Sequence, residues 1–152
     1  MTSAPLPSRD RLAELFLAFA AIPSPHKQER RMADAVIERL RAVDVAVRED
    51  STGSDTGGDA GNLWCVVPGE GSPHVALGAH LDTVPPTDTV EPYLDDEGVF
   101  RNRRRTILGA DDKGAIAALV HATELLRSSG EPFPSYELFF TVSEEIGLGG
   151  SS

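Results

Sequence analysis

Two adjacent carboxylates, Asp111 and Asp112, stand between a tight turn and a long apolar helical pattern in Gly109-Ala110-Asp111-Asp112-Lys113-Gly114. A helix start favours one acid, through its free backbone N–H groups and the positive end of its dipole, but does not readily account for two in a row. Upstream, His80-Leu81-Asp82-Thr83-Val84-Pro85 closes a run of strand-like residues; downstream, Ser143-Glu144-Glu145-Ile146-Gly147 closes another. Three pairs or clusters of polar and acidic residues at the ends of elements, one at a helix start and two at strand ends, suggest a single metal site.

Five carboxylates lie in these motifs, half as many as the formal charge of -10, and without a counterion they would repel one another. The acidity argues against nucleic acid or an anionic membrane surface as partner and favours divalent cations. With 152 residues and 40% hydrophobic content, the chain is expected to form one α/β domain, residues 1–152, with a real core. The lone Cys65, inside Leu63-Trp64-Cys65-Val66-Val67, reads as a buried thiol. No disulfide framework is possible within one chain, which points to a reducing, cytoplasmic setting. Arg9 and Arg11 before an apolar stretch superficially copy a signal peptide. Glu14 interrupts it, and Leu12, Leu15, Phe16 and Phe19 recur at helical spacing, so a folded amphipathic helix is expected there.

That first helix runs from a Ser8 cap to about Ala20 and is stopped by Pro23 and Pro25. A second helix is predicted over residues 27–42, with Met32, Val36, Ile37 and Leu40 on one face. Val43, Val45 and Val47 alternate as in a half-exposed strand, residues 51–61 read as a flexible loop, and residues 62–67 as the next strand. Residues 74–79 are short, continuously apolar and glycine-containing, the pattern of a central strand covered on both faces. Between Pro85 and Thr106, Gly98-Val99-Phe100 suggests a hairpin arm and Arg103-Arg104-Arg105 a solvated tip. A largely buried helix follows over residues 113–128, in which His121 shares a polar stripe with Glu124 and Ser128 and reads as a surface histidine. His26 and His74 are given no ligand role either. The last strand covers residues 136–142. Strand, helix, strand argues for a mostly parallel sheet between helix layers, with ligands collecting beyond the carboxyl ends of the strands, where His80 and Glu144 fall.

In His80-x-Asp82 both side chains leave an extended backbone on one side, so the aspartate can accept one imidazole N–H and aim the other nitrogen at a metal. A surface His-Asp pair is the equal alternative for that motif alone. Asp111 could bridge two cations or simply cap the helix. Adjacent Glu144 and Glu145 face different directions, which allows one to bind metal and the other to move protons, or both to be solvated. A magnesium-dependent phosphoryl transfer is disfavoured, since no Gly-x-x-x-x-Gly-Lys-Ser/Thr loop is present and His80 is a poor magnesium ligand.

The motifs His80-Leu81-Asp82-Thr83-Val84-Pro85, Leu108-Gly109-Ala110-Asp111-Asp112-Lys113-Gly114 and Thr141-Val142-Ser143-Glu144-Glu145-Ile146-Gly147-Leu148 resemble the three successive motifs of the dizinc M20 metallopeptidases, especially the peptidase T-like branch. The related M42 family resembles the last of them, but inserts a whole domain between its histidine and aspartate motifs; here the gap is 31 residues (111 minus 80). The resemblance implies a three-layer α/β/α zinc-exopeptidase sheet and a cis peptide between Asp111 and Asp112. It also implies His80 on one zinc, Asp111 bridging two, Glu145 on the other, Glu144 as general base and Asp82 orienting His80. The implied reaction is zinc-dependent hydrolysis of a peptide or amide bond, with a small peptide or N-acyl amino acid as substrate and Glu144 passing a proton to the leaving amine. Three of the family's five ligand positions match, and neither the smaller lid domain nor the later strands have a counterpart. The expectation is therefore the N-terminal part of a catalytic domain, inactive alone, holding one zinc or none of the two in a complete site, and prone to homo-oligomerise. The alternative is a non-catalytic metal-binding or interaction fragment that keeps the fold.

Overall fold

The computed structural model describes residues 6–73 and 75–147; His74, Leu148 and residues 149–152 lie outside the described residues. Helix α1 (Arg9–Ala20) begins where Ser8 Oγ accepts the Arg11 N–H, and it buries Leu15, Phe16, Phe19 and Ala20. Helix α2 (Arg30–Arg41) starts three residues later than its pattern suggests, because Lys27 sits in the left-handed region at φ 68° and breaks the helical path. Met32, Ala33, Val36 and Leu40 form its buried face.

The valine alternation after α2 is mostly not strand. Only β1 (Arg48–Glu49) pairs, while the Val45 N–H returns to Leu40 O and its side chain is buried beneath the end of α2. The stretch 51–61 likewise contains a short helix, α3 (Thr52–Thr56), organised by Asp50, whose carboxylate accepts the N–H groups of Thr52 and Asn62. Strands β2 (Leu63–Val67), β3 (Ala76–His80) and β6 (Tyr136–Thr141), with β1, make a four-stranded sheet in the order β1-β2-β6-β3. Between β3 and β6 come the hairpin β4 (Pro92–Leu94) and β5 (Phe100–Asn102), then α4 (Ala110–Ser129). Arg103, Arg104 and Arg105 are exposed, with Arg103 over the Tyr93 ring and Arg104 paired to Glu91.

Two expectations are corrected here. The sheet is not mostly parallel: β3 and β6 pair in parallel across the α4 crossover, whereas β6 with β2 and β2 with β1 are antiparallel. The connection between β2 and β3 contains no helix among the described residues, and the helix-containing crossover is the one that gives a parallel neighbour among the described strands. Nor is β3 covered on both faces, for it lies at the sheet edge with Ala76, Leu77 and Gly78 exposed. Its apolar composition matches a central strand, but no described strand pairs with its outer side.

Alternate side chains of β2 and β6 (Leu63, Cys65, Val67, Leu138 and Phe140) enter one core with α1, α2 and α4, each fully buried aliphatic or aromatic side chain contributing roughly 1.5–3 kcal/mol. The result is a mixed α/β fold with helices flanking a central sheet. Helix α4 stands closest to the site. Gly109, at φ 73°, supplies the left-handed turn before it, and Asp111 and Asp112 depart from helical geometry, with a cis peptide between them as the resemblance implies.

Candidate active site

The carboxyl end of β3 delivers His80, whose side chain is 10% exposed. Its Nδ1 faces the backbone carbonyl of Asp82 at 2.9 Å, and its Nε2 faces Asp111 Oδ1 at 3.1 Å, with Glu144 Oε2 at 3.9 Å. Donor atoms of His80, Asp111 and Glu145 all lie within 4.8 Å of one another. Asp112, the second acid of the pair, turns the other way and accepts the backbone N–H of His80 through Oδ2 at 3.3 Å. One carboxylate of the doublet faces the imidazole and the other steadies the strand that carries it.

Asp82 is fully buried, and its carboxylate does something the sequence did not suggest. The nearer acceptor for the imidazole is the Asp82 main-chain oxygen, with carboxylate Oδ1 at 3.5 Å. Oδ1 and Oδ2 accept the backbone N–H groups of Glu144 and Glu145, each at 3.0 Å. Asp82 therefore ties the first motif to the third. Burial opposes its charge, but His80 and these two N–H groups hold its pKa below the ordinary value. The Asp82 carboxylate, outweighing burial and helped by Asp111, raises His80 to about 9.

Four consecutive N–H groups, of residues 142–145, are taken by side-chain oxygens from elsewhere in the chain. Val142 donates to Asn62 Oδ1 at 3.0 Å, Ser143 to Glu29 Oε1 at 3.2 Å, and Glu144 and Glu145 to Asp82. Ser143 is buried and left-handed, at φ 59°. Behind this turn, His26, Glu29 and Asp82 bring donor atoms within 4.8 Å of one another. Glu29 is wholly buried and burial raises its pKa, with Asp82 adding to the rise; three of the four carboxylate oxygens of Glu29 and Asp82 already accept backbone N–H groups. That chemistry favours hydrogen bonding over metal.

Sequence reasoning missed Glu29, yet a signal was present: it precedes Met32, Ala33 and Val36 by three, four and seven positions and so lies on the apolar face of α2. It also missed Lys113, buried beside Gly109, which donates to the Ile22 carbonyl and whose pKa burial lowers to about 8. His121 is corrected as well. It is 4% exposed rather than on the surface, and its Nε2 accepts the Ser8 N–H.

The donor set suits zinc, which accepts imidazole nitrogen and carboxylate oxygen at about 2.0–2.2 Å; ligand atoms around it then stand roughly 3.3 Å apart. The 3.1 Å between His80 Nε2 and Asp111 Oδ1 matches that spacing.

The Bacillus subtilis (strain 168) protein YqjE is 35% identical over 93% of this chain and 38% of its own length. A tripeptidase from Staphylococcus aureus superposes with a TM-score of 0.89 at 31% identity, over 96% of this chain and 39% of that one. Aminopeptidase PepT from Bacillus cereus gives 0.88 at 33% identity, over 95% and 39%. The chain thus spans less than half the length of these relatives. Residues 76–152, which contain all three acidic motifs, match peptidase family M20/M25/M40, and the chain belongs to that family.

Proposed function

We propose that the chain carries part of the active site of a zinc-dependent hydrolase of peptide or amide bonds, acting on a small peptide or an N-acyl amino acid. The observation that carries the reading is the meeting of His80, Asp111 and Glu145 from three separate segments of the chain. Zinc bound there would lower the pKa of water and polarise the scissile carbonyl. His80 would bind through Nε2, because the Asp82 carbonyl at Nδ1 fixes the proton on the other nitrogen. Asp111 and Glu145 would supply oxygens. Glu144, half-exposed and 3.9 Å from His80 Nε2, has the freedom to take a proton from water and return it to the leaving amine. Three protein donors are the usual number in a catalytic zinc site, so one zinc is expected in this chain, and Asp111 would share a second once further ligands are supplied. A cytoplasmic setting agrees with the free, buried Cys65.

Zinc titration of the 152-residue chain tests this, with one equivalent bound and binding lost in His80→Ala or Glu145→Ala. Binding indifferent to those substitutions would reject it. In a version extended to the length of the relatives, Glu144→Ala is expected to abolish tripeptide hydrolysis while zinc stays bound.

A further inference from the structure

Glu29, at the N-terminal end of α2, contacts the turn that carries Glu144 and Glu145 and is not among the residues of the proposed metal site. It caps nothing, since no side-chain hydrogen bond is made to the start of α2. It is 0% exposed, its Oε1 accepts the Ser143 N–H at 3.2 Å with Ser143 Oγ at 3.5 Å, and its Oε2 has no hydrogen-bond partner among the described residues. A carboxyl with an unpaired oxygen is an expensive way to fill apolar space; leucine or methionine would serve packing better. Besides its own backbone and that of Lys27, Glu29 meets Ser143, a non-glycine residue in the left-handed region, a conformation that persists only where neighbours enforce it. The residue after that one is Glu144.

We propose that Glu29 is a positioning residue for the Glu144–Glu145 pair: by holding the Ser143 N–H it fixes the left-handed turn that sends the two carboxylates in their separate directions. The inference rests on the metal reading above for its consequence, but the pin itself is a statement about the turn. Asn62 and Asp82 hold the N–H groups on either side, so loss of Glu29 frees the one link between them.

The test uses Glu29→Leu, Glu29→Gln and the double substitution Glu29→Leu with Ser143→Gly, each checked for cooperative unfolding. Amide hydrogen exchange reads the turn, and competition with a chromophoric chelator reads zinc affinity. In Glu29→Leu, exchange at residues 143–145 is expected to quicken while the β6 amides stay protected, and zinc affinity to fall about 10-fold or more. Gln keeps the acceptor and should stay within about 3-fold of the unsubstituted chain. Ser143→Gly should recover part of the affinity, because glycine enters the left-handed region unaided. If Glu29→Leu does not fold, Glu29→Gln and the double variant decide. Unchanged exchange in a folded Leu variant overturns the inference, as does a Gln variant that behaves like Leu. A second zinc equivalent that disappears with Glu29 would also overturn it, by making His26, Glu29 and Asp82 a metal site. Absence of zinc binding by the unsubstituted chain rejects the metal reading alone, and exchange still decides the pin.

Discussion

The Asp82 carbonyl oxygen lies 2.9 Å from His80 Nδ1, so the imidazole is held by main chain on one side and turned toward Asp111 on the other. In the metal-free chain the Asp82 carboxylate, opposed by burial and helped by Asp111 and by that carbonyl, keeps a proton on the ring. His80 is raised from 6.5 to about 9, so the folded state binds more protons than the unfolded state between those values. Its contribution to stability is full below pH 6.5 and is lost as pH rises through about 9. Urea midpoints of the metal-free chain should fall across that window, and His80→Gln should remove the fall. Zinc should reverse it, because binding must expel the proton.

Asp82→Asn keeps one oxygen where two backbone N–H groups need acceptors, and it removes the charge beside His80. Urea unfolding near pH 7 is expected to show a loss of about 1.5–3 kcal/mol, the range for hydrogen bonds to a charged group. Zinc affinity should fall about 10–100-fold, as for other residues that orient ligands. Asp82 is held below its ordinary value of 3.8, so its contribution is present above that pH and fades as pH falls below it. The deficit of the Asn variant should shrink in acid; an equal deficit at all pH values would refute the charge argument.

Lys113 moves the opposite way. Burial lowers it from 10.5 to about 8, so between those values the unfolded chain holds the proton and the folded chain does not. Stability from this group therefore rises with pH from about 8 to 10.5. Above pH 9 the buried Cys65 thiol acts in the opposite sense, holding its proton from 9.0 to about 11, so Lys113 is read as a difference: in Lys113→Met the urea midpoint should fall more steeply between pH 9 and 10.5 than in the unsubstituted chain. An unchanged slope would assign the dependence elsewhere.

Cys65 should be inert while the chain is folded. Burial raises the thiol from 9.0 to about 11, which alone cuts the thiolate fraction by about 100-fold, and β2 must open before reagent can reach it. Labelling with a thiol-specific chromophore at pH 8 should track global unfolding. Rapid labelling in buffer would contradict the placement of Cys65 in the core.

The acidic motifs were legible because each is local: His80, Asp111 and Glu145 announce themselves by residue type at element ends, and the fold carries those ends to one edge. The rest was written across the chain. His121 meets Ser8 and Glu29 meets Ser143, contacts across the chain that no periodicity records. The edge position of β3 was hidden by its composition, since Val75, Leu77 and Ala79 would suit a central strand equally well. The Val43 to Val47 alternation failed for a different reason: Val43 and Val45 fold back on the end of α2, which buries Val45, while Val43 and Val47 are half-buried against the core without a strand partner.

The turn at residues 142–145 borrows every one of its hydrogen-bond acceptors from outside itself. Such a motif is not portable. Grafted onto another scaffold as Ser-Glu-Glu alone, it would keep its spelling and lose its aim, and a designer would have to transplant counterparts of Asn62, Glu29 and Asp82 along with it. For the same reason, a substitution at Asn62, outside all three acidic motifs, can disarm the pair of glutamates without touching either.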